Sequence, residues 1–455
     1  MRRATLVLLA AVTACDVGTV RPADDGGVDA SDGGTLPGFV PDRVTMGLDL
    51  PGTVPVLRLA INGQPIERDV EIAGTLTIHE SPDATLANLG PATLTTAVGV
   101  QGRGNFTWSL PKKGYAFELQ DGAGGDVARA FLGLPPGSDF ALYACYTDKS
   151  CVRNALVYAL GQELGRWSPR TRFVELFFDD RYQGLYMVWE RIRRSPTRVD
   201  LPSPALDVTG GYIVRHEGGP EGDGSDFQTS AGVYYRFHYP DVADLTPAQA
   251  DHVRAAWQTM ETSVTADPAG AGAVIDLPSW IDRAIVEEVT HNWDGYVHSV
   301  YLTKERDADG GRIAMGPLWD FDLAFGNGNV TGYNCRTDVW AYQIQRGAPD
   351  DVPAYWRALW ADAGFQHSWK CRYQALRTGP LALATFDARI AAWSTFTAAA
   401  RARDQARWPT IGTAIFPNCT TEPSYQAELT YLHDFIAARL TWLDGQAAAM
   451  PGDCP

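Results

Sequence analysis

The sequence predicts an α+β fold. Short apolar runs bounded by turn residues fill roughly residues 45–240, and helical periodicity takes over after about 245. One further strand episode sits inside the helical half, "SVYLTKERDADGGRIAMGPLWDFDLAFG", read as a hairpin around Asp307–Gly311. A β-rich half followed by a helical half is the pattern of an α+β chain rather than of alternating βαβ units.

The elements follow in order. "VPVLRLAING", "GTLTIHE", "GYAFEL", "GGYIVRHEG" and "GVYYRFHYP" read as strands, and "FVELFFDDRYQGLYMVWE" as a hairpin turning at Asp179–Gly184. One helix, about Lys149 to Leu164, interrupts them. Later stretches such as "TPAQADHVRAAWQTMETSV", "LPSWIDRAIVEEVTHNW" and "YQAELTYLHDFIAARLTWLDGQ" repeat apolar residues at helical spacing. The helix near Ser279 carries Asp282 three residues on, a capping-box pattern. Ile281, Ile285 and Val289 mark its buried face.

The first fourteen residues read as a secretory signal, with Arg2 and Arg3 before an apolar run. Val12-Thr13-Ala14-Cys15 resembles a bacterial lipobox, which implies cleavage before Cys15 and lipidation of its thiol. The alternative is an ordinary signal with an incidental cysteine. Residues 15–40 are rich in Gly and Asp and read as a flexible tether. Residues 41–244 then form the β-rich half and 245–455 the helical half. The expected setting is the bacterial cell envelope, periplasm or surface, with the membrane met only through a lipid. No later stretch has the length of a membrane span.

The 455 residues carry a formal charge of −16, which argues against a nucleic-acid partner. Apart from Cys15, six cysteines remain: Cys145, Cys151, Cys335, Cys371, Cys419 and Cys454. In an exported chain these suggest disulfides. Short loop closure favours Cys145–Cys151, and order along the chain then suggests Cys335–Cys371 and Cys419–Cys454.

The chemistry centres on "GPLWDFDLAFGNG", Gly316 to Gly328. Asp320 and Asp322 stand among Trp319, Phe321, Leu323 and Phe325, where unpaired carboxylates are costly. Read as a strand, the stretch turns both acids to one face, where Mg²⁺ suits a pair of carboxylates plus substrate phosphates. The bland reading is two structural aspartates held by arginine or backbone N–H groups. Asp294, following a helix in "HNWDGYVHS", is a third acid presented toward a cleft. His291 and His298 flank it, read as packing residues rather than metal ligands. In "GVQGRGNFTWSLPKKGYAFEL", Arg103 sits in a turn whose Gly102 and Gly104 would let backbone approach a phosphate. Lys112 and Lys113 open the next strand, so one of them faces inward. A solvated hairpin end explains the same residues more plainly.

Together these stretches resemble the CotH kinase family, the spore coat protein H type, over roughly residues 50–445. The matching parts are the turn Arg103-Gly104-Asn105-Phe106-Thr107-Trp108, the lysine pair, the hairpin Tyr182-Gln183-Gly184-Leu185-Tyr186 followed by Glu190, and the final Trp319-Asp320-Phe321-Asp322. Asp180-Arg181 stands where the family has Asn-Gly, and Phe106 is an unexpected residue type. The resemblance implies an atypical protein-kinase-like fold that uses ATP with Mg²⁺ or Mn²⁺ to phosphorylate Ser or Thr of exported proteins. It implies that Arg103 and Lys112 or Lys113 hold phosphates, that Glu190 orients the lysine, and that Asp320 and Asp322 hold metal. Asp294 would be the general base or a second metal contact. The H-R-D and Walker A signatures are absent. Two rival readings stand beside this one: a catalytically inactive surface protein of the same fold, and a carbohydrate-active enzyme with paired carboxylates. The latter is disfavoured because Asp320 and Asp322 would lie too close for an inverting pair. The sequence makes no statement on self-association.

Overall fold

The computed structural model describes residues 53–454 apart from 81–87, 223, 331 and 348–350. The expected signal peptide, Cys15 and the expected tether lie outside the described residues.

Seven strands close into a barrel. They are β1 (Val56–Ala60), β2 (Ile72–His79), β3 (Leu94–Arg103), β4 (Gly114–Gln120), β7 (Asp139–Tyr143), β8 (Thr171–Phe178) and β9 (Arg181–Glu190), with the short pair β5 (Arg129–Phe131) and β6 (Leu134–Gly137) between β4 and β7. The order is β1-β2-β3-β4-β7-β9-β8, closed by parallel pairing of β8 with β1. Alternate apolar side chains fill the interior, among them Leu57, Val98, Phe117, Phe140, Val174 and Val188. The α+β class is as expected; closure of the β half into a barrel is not something its alternating pattern revealed.

Helix α1 (Arg153–Glu163) follows β7 and is buried along nearly its whole length. A second sheet runs β11-β12-β10-β13-β14, from β10 (Tyr212–Glu217), β11 (Asp226–Gln228), β12 (Tyr234–Tyr239), β13 (Val300–Lys304) and β14 (Ile313–Met315). It is joined by α2 (Pro247–Ala266), α3 (Leu277–Thr290), α4 (Ala354–Ala361), α5 (Ala363–Arg377), α6 (Leu383–Arg407) and α7 (Tyr425–Ala449). The change of character near residue 245 is therefore not a break in packing, because β10 pairs with β13 across it.

Several local expectations need correction. The capping box at Ser279 does not form: α3 starts at Leu277, Ser279 is buried inside it, and its hydroxyl donates to the Asp276 carbonyl while accepting from Met315 N–H. Asp282 instead pairs with Arg166 and Arg372. The disulfides are Cys145–Cys151, Cys335–Cys419 and Cys371–Cys454. The local bridge is as expected and the other two are not. They join segments 84 and 83 residues apart, a pairing set by helix packing rather than by chain order. Three disulfides mark an oxidising compartment. Among the described residues no helix is long and apolar enough to cross a membrane.

Candidate active site

The stretch holding Asp320 and Asp322 is a loop, not a strand. β14 ends at Met315, and Asp320 has φ +66°, a left-handed conformation. Helix α1 holds this backbone in place. Asp320 N–H donates to the Tyr158 hydroxyl (3.1 Å), Phe321 N–H to Asn154 Oδ1 (2.8 Å), and Arg153 Nε to the Ala324 carbonyl (3.0 Å). Such buried partners are what a non-repetitive backbone needs once it leaves water. Trp319, Phe321, Leu323 and Phe325 are buried as expected, but through the loop's own turns rather than by strand alternation.

The two acids still share one site with Asp294. All three are buried. Asn292 ties the segments together: its Nδ2 donates to the Asp320 carbonyl (3.2 Å), and its Oδ1 accepts from Asp294 N–H (3.4 Å). Asp322 Oδ2 accepts from Thr147 Oγ1 (3.3 Å) and Tyr143 Oη (3.4 Å). Burial, then the charges of Asp320 and Asp294, push the Asp322 carboxyl well above the usual carboxylate range. Burial raises Asp294 to about 7, with Asp320 and Glu217 adding to the rise and His298 and Arg346 opposing it. Asp294 Oδ1 has no hydrogen-bond partner.

Behind Asp294 stands a charged pair that sequence reasoning did not assemble. His298 Nδ1 lies 3.5 Å from Glu217 Oε2. Burial alone would lower this imidazole, but Glu217 and Asp294 outweigh it and raise it. Glu217 is held ionised by Arg215, 2.8 Å away, despite its own burial. His298 is thus more than packing, whereas His291 ends α3 at φ +48° and packs in the core.

A narrow cleft borders Asp320, walled also by Arg103, Lys112, Tyr143, Trp189 and Trp319. Arg103 closes β3; its guanidinium lies over the Trp319 ring at 5.4 Å, and its buried Nη2 has no hydrogen-bond partner. The glycines beside it serve packing. A Cβ on Gly102 would sit 2.2 Å from the Trp108 ring, and one on Gly104, at φ +102°, would sit 2.1 Å from Thr107 Oγ1. At Gly102 the room expected for a phosphate is taken by Trp108.

The lysines face different ways, but both precede β4, so strand alternation is not the cause. Lys112 is buried, its Nζ donating to Asp404 Oδ1 (2.8 Å) and the Leu185 carbonyl (2.7 Å). Lys113 donates to the Trp108 carbonyl and lies over the same indole at 5.2 Å. Glu190 does not orient either lysine. Arg170 clasps it with two hydrogen bonds of 2.5 and 2.6 Å, and Arg198 lies 3.7 Å away. In this structure, then, Arg103 is the cleft's cation with an unmet donor.

Among the described residues no group of three or more His, Cys, Asp or Glu side chains has metal-holding geometry. The donor set nonetheless fits Mg²⁺, which takes one or two carboxylates and completes its shell with water and phosphate oxygens. Like-charged buried acids and the unpartnered Asp294 Oδ1 are what a bound dication would relieve.

A family model described as CotH kinase protein matches residues 100–443, more than half of the chain. The chain belongs to the CotH kinase family. No curated protein matches it.

Proposed function

We propose that the protein is an exported kinase of atypical kinase-like architecture, transferring phosphate from ATP, with Mg²⁺ or Mn²⁺, to Ser or Thr of surface or secreted proteins. We further read it as tethered to the envelope through Cys15. The observation that carries the proposal is a cleft walled by Arg103 and Asp320, with Asp294 and Asp322 buried close enough to Asp320 that its charge opposes their ionisation. Phosphoryl transfer asks for this pairing of cations for phosphate oxygens with acids for metal and hydroxyl.

Asp320 and Asp322 would hold the divalent ion, which supplies charge neutralisation at the phosphates. Arg103, in the cleft wall, would meet phosphate oxygens. The stacked Tyr143 and Trp189 rings, 5.1 Å between centroids, offer a flat apolar wall for a base. Asp294 would accept the proton of the attacking hydroxyl, a task for which a value near 7 is well matched at neutral pH. On that assignment kcat/KM falls on the acid side as Asp294 takes up a proton, and a bound dication moves that fall below the metal-free value of about 7.

The test is intact mass of the purified protein after incubation with ATP and Mg²⁺ or Mn²⁺, beside Asp320→Asn and with a thermal-shift measurement. Phosphate added to the wild type alone establishes the kinase. No addition and no nucleotide-dependent shift would favour an inactive surface protein of the same fold. One observation favours that second reading: both lysines of the family pattern are engaged within the fold, Lys112 with Asp404 and Lys113 with Trp108.

A further inference from the structure

The connection from α6 to α7, residues 408–424, is pinned on both the barrel side and the acid-loop side. The Phe416 ring meets Phe106 of the barrel turn edge-on at 5.8 Å, the Thr413 carbonyl accepts from Lys149 Nζ (2.8 Å), and the Pro417 carbonyl accepts from Asn329 N–H. Cys419 is bonded to Cys335, 84 residues earlier in the chain.

Asn418, beside that disulfide, carries the contact through to the acids. Its Nδ2 donates to the Thr147 carbonyl (2.8 Å) and to Asn327 Oδ1 (2.9 Å). Asn327 is 4% exposed, and its own Nδ2 donates to the Asp322 carbonyl (2.6 Å) and to the same Thr147 carbonyl (3.3 Å). Thr147 Oγ1 in turn donates to Asp322 Oδ2 (3.3 Å). Two amides in series therefore hold the backbone at both ends of the Thr147–Asp322 contact.

A buried loop has no strand ladder, so other groups must fix its backbone. Helix α1 does so at Asp320, Phe321 and Ala324. At Asp322 the carbonyl is held by Asn327, whose amide Asn418 orients. The Asp322 carboxyl is also repelled by Asp320 and Asp294. Such a group keeps a ligand's place only if its backbone and its hydrogen-bond partner are both fixed, and Mg²⁺ tolerates little departure from octahedral geometry. We propose that Asn418 is a positioning residue: through Asn327 and Thr147 it sets the Asp322 carboxyl where a divalent ion needs it, and the Cys335–Cys419 bridge sets Asn418. This rests on the metal-bound reading of the site.

Two measurements on the whole protein test it. The first is hydrogen exchange without metal: in Asn418→Ala, the amides of residues 321–328 exchange at least about 10-fold faster, while those of α6 and α7 keep wild-type rates. The second is calorimetric Mn²⁺ affinity, which Asn418→Ala lowers at least about 10-fold. Asn418 is half-buried in a connection, so the variant folds. Cys371→Ser with Cys454→Ser removes the other long-range bridge and controls for lost stability; Mn²⁺ affinity there stays within about 2-fold of wild type. Unchanged loop exchange in Asn418→Ala overturns the proposal, as does Mn²⁺ affinity kept at the wild-type value or lost equally in the cysteine control. Faster loop exchange in Asn418→Ala, when the wild type itself takes up no Mn²⁺, is a different result: the metal reading fails and Asn418's hold on the loop stands.

Discussion

Asp294, Asp320 and Asp322 bring like charge into a place that water barely reaches, and the charge of Asp320 adds to the cost of ionising the other two. For Asp294 the sign is plain. Its folded value of about 7 stands above the ordinary 3.8, so the fold resists its ionisation. That penalty is absent below about pH 4, grows as pH rises and is complete above about 7. A dication at the site removes it. Mg²⁺ should therefore raise the melting temperature more at pH 8 than at pH 5, and equal shifts at both would argue against metal at these acids. Asp320→Asn should lose phosphoryl transfer by at least about 100-fold. Its melting point without metal should stay level or rise, because one of the repelling charges has gone. A large fall in stability would instead make Asp320 a structural residue.

At the scale of elements, a buried ion pair beside a glycine helps join the barrel to α6, together with the Arg403–Glu175 pair. Lys112 enters β4, Asp404 lies near the end of α6, and between them Gly184 of β9 adopts φ +120°. A Cβ there would sit 2.1 Å from Asp404 Oδ1, the atom that also accepts from Leu185 N–H (2.9 Å). Lys112→Ala leaves Asp404 charged and largely buried without its partner, and should cost about 3–5 kcal/mol in urea denaturation. Lys113→Ala, which removes a contact on Trp108, should cost about 1 kcal/mol or less. Equal losses would contradict the observed division between them. Gly184→Ala should cost at least about 2 kcal/mol through clash and backbone strain, and less than additively with Lys112→Ala because both act through Asp404. The hairpin, the lysine pair and Asp294's place after a helix were legible in the sequence, since turn chemistry and periodicity are local. The buried polar residues of α1 that grip the acidic loop were less so. Arg153, Asn154 and Tyr158 sit in an otherwise apolar helix, and polar residues where an all-round buried helix should be apolar were the one available signal.

Across the whole molecule, the site is assembled from pieces more than two hundred residues apart: Arg103 from the barrel, Glu217 from the second sheet, Asp294 and Asp320 from connections in the helical half. The long-range disulfides brace that half. Cys371–Cys454 ties α5 to the residues after α7, closing 83 residues. Replacing both cysteines with serine should lower stability by about 4 kcal/mol in the chain-entropy picture. Chemical denaturation of the double variant measures this, and a loss under about 1 kcal/mol would mean that helix packing alone holds the end.

The sequence by itself determined the α+β class, most of the helices, the β8–β9 hairpin and the local Cys145–Cys151 bridge, although the hairpin turns at Asp179–Asp180 alone and not over Asp179–Gly184. Each of these is written in neighbouring residues: turn formers, the periods 2 and 3.6, and a short loop between two cysteines. Tertiary structure alone decided the barrel's closure, the two distant disulfides, Glu190's arginine partners and Lys112's commitment to Asp404. Those depend on which surfaces meet once the halves pack. Strand alternation placed Asp320 and Asp322 on one face for a reason that does not hold, since the backbone there turns left-handed. They share the site because α1 and Asn292 hold the loop in that shape, and no spacing along the chain encodes those contacts.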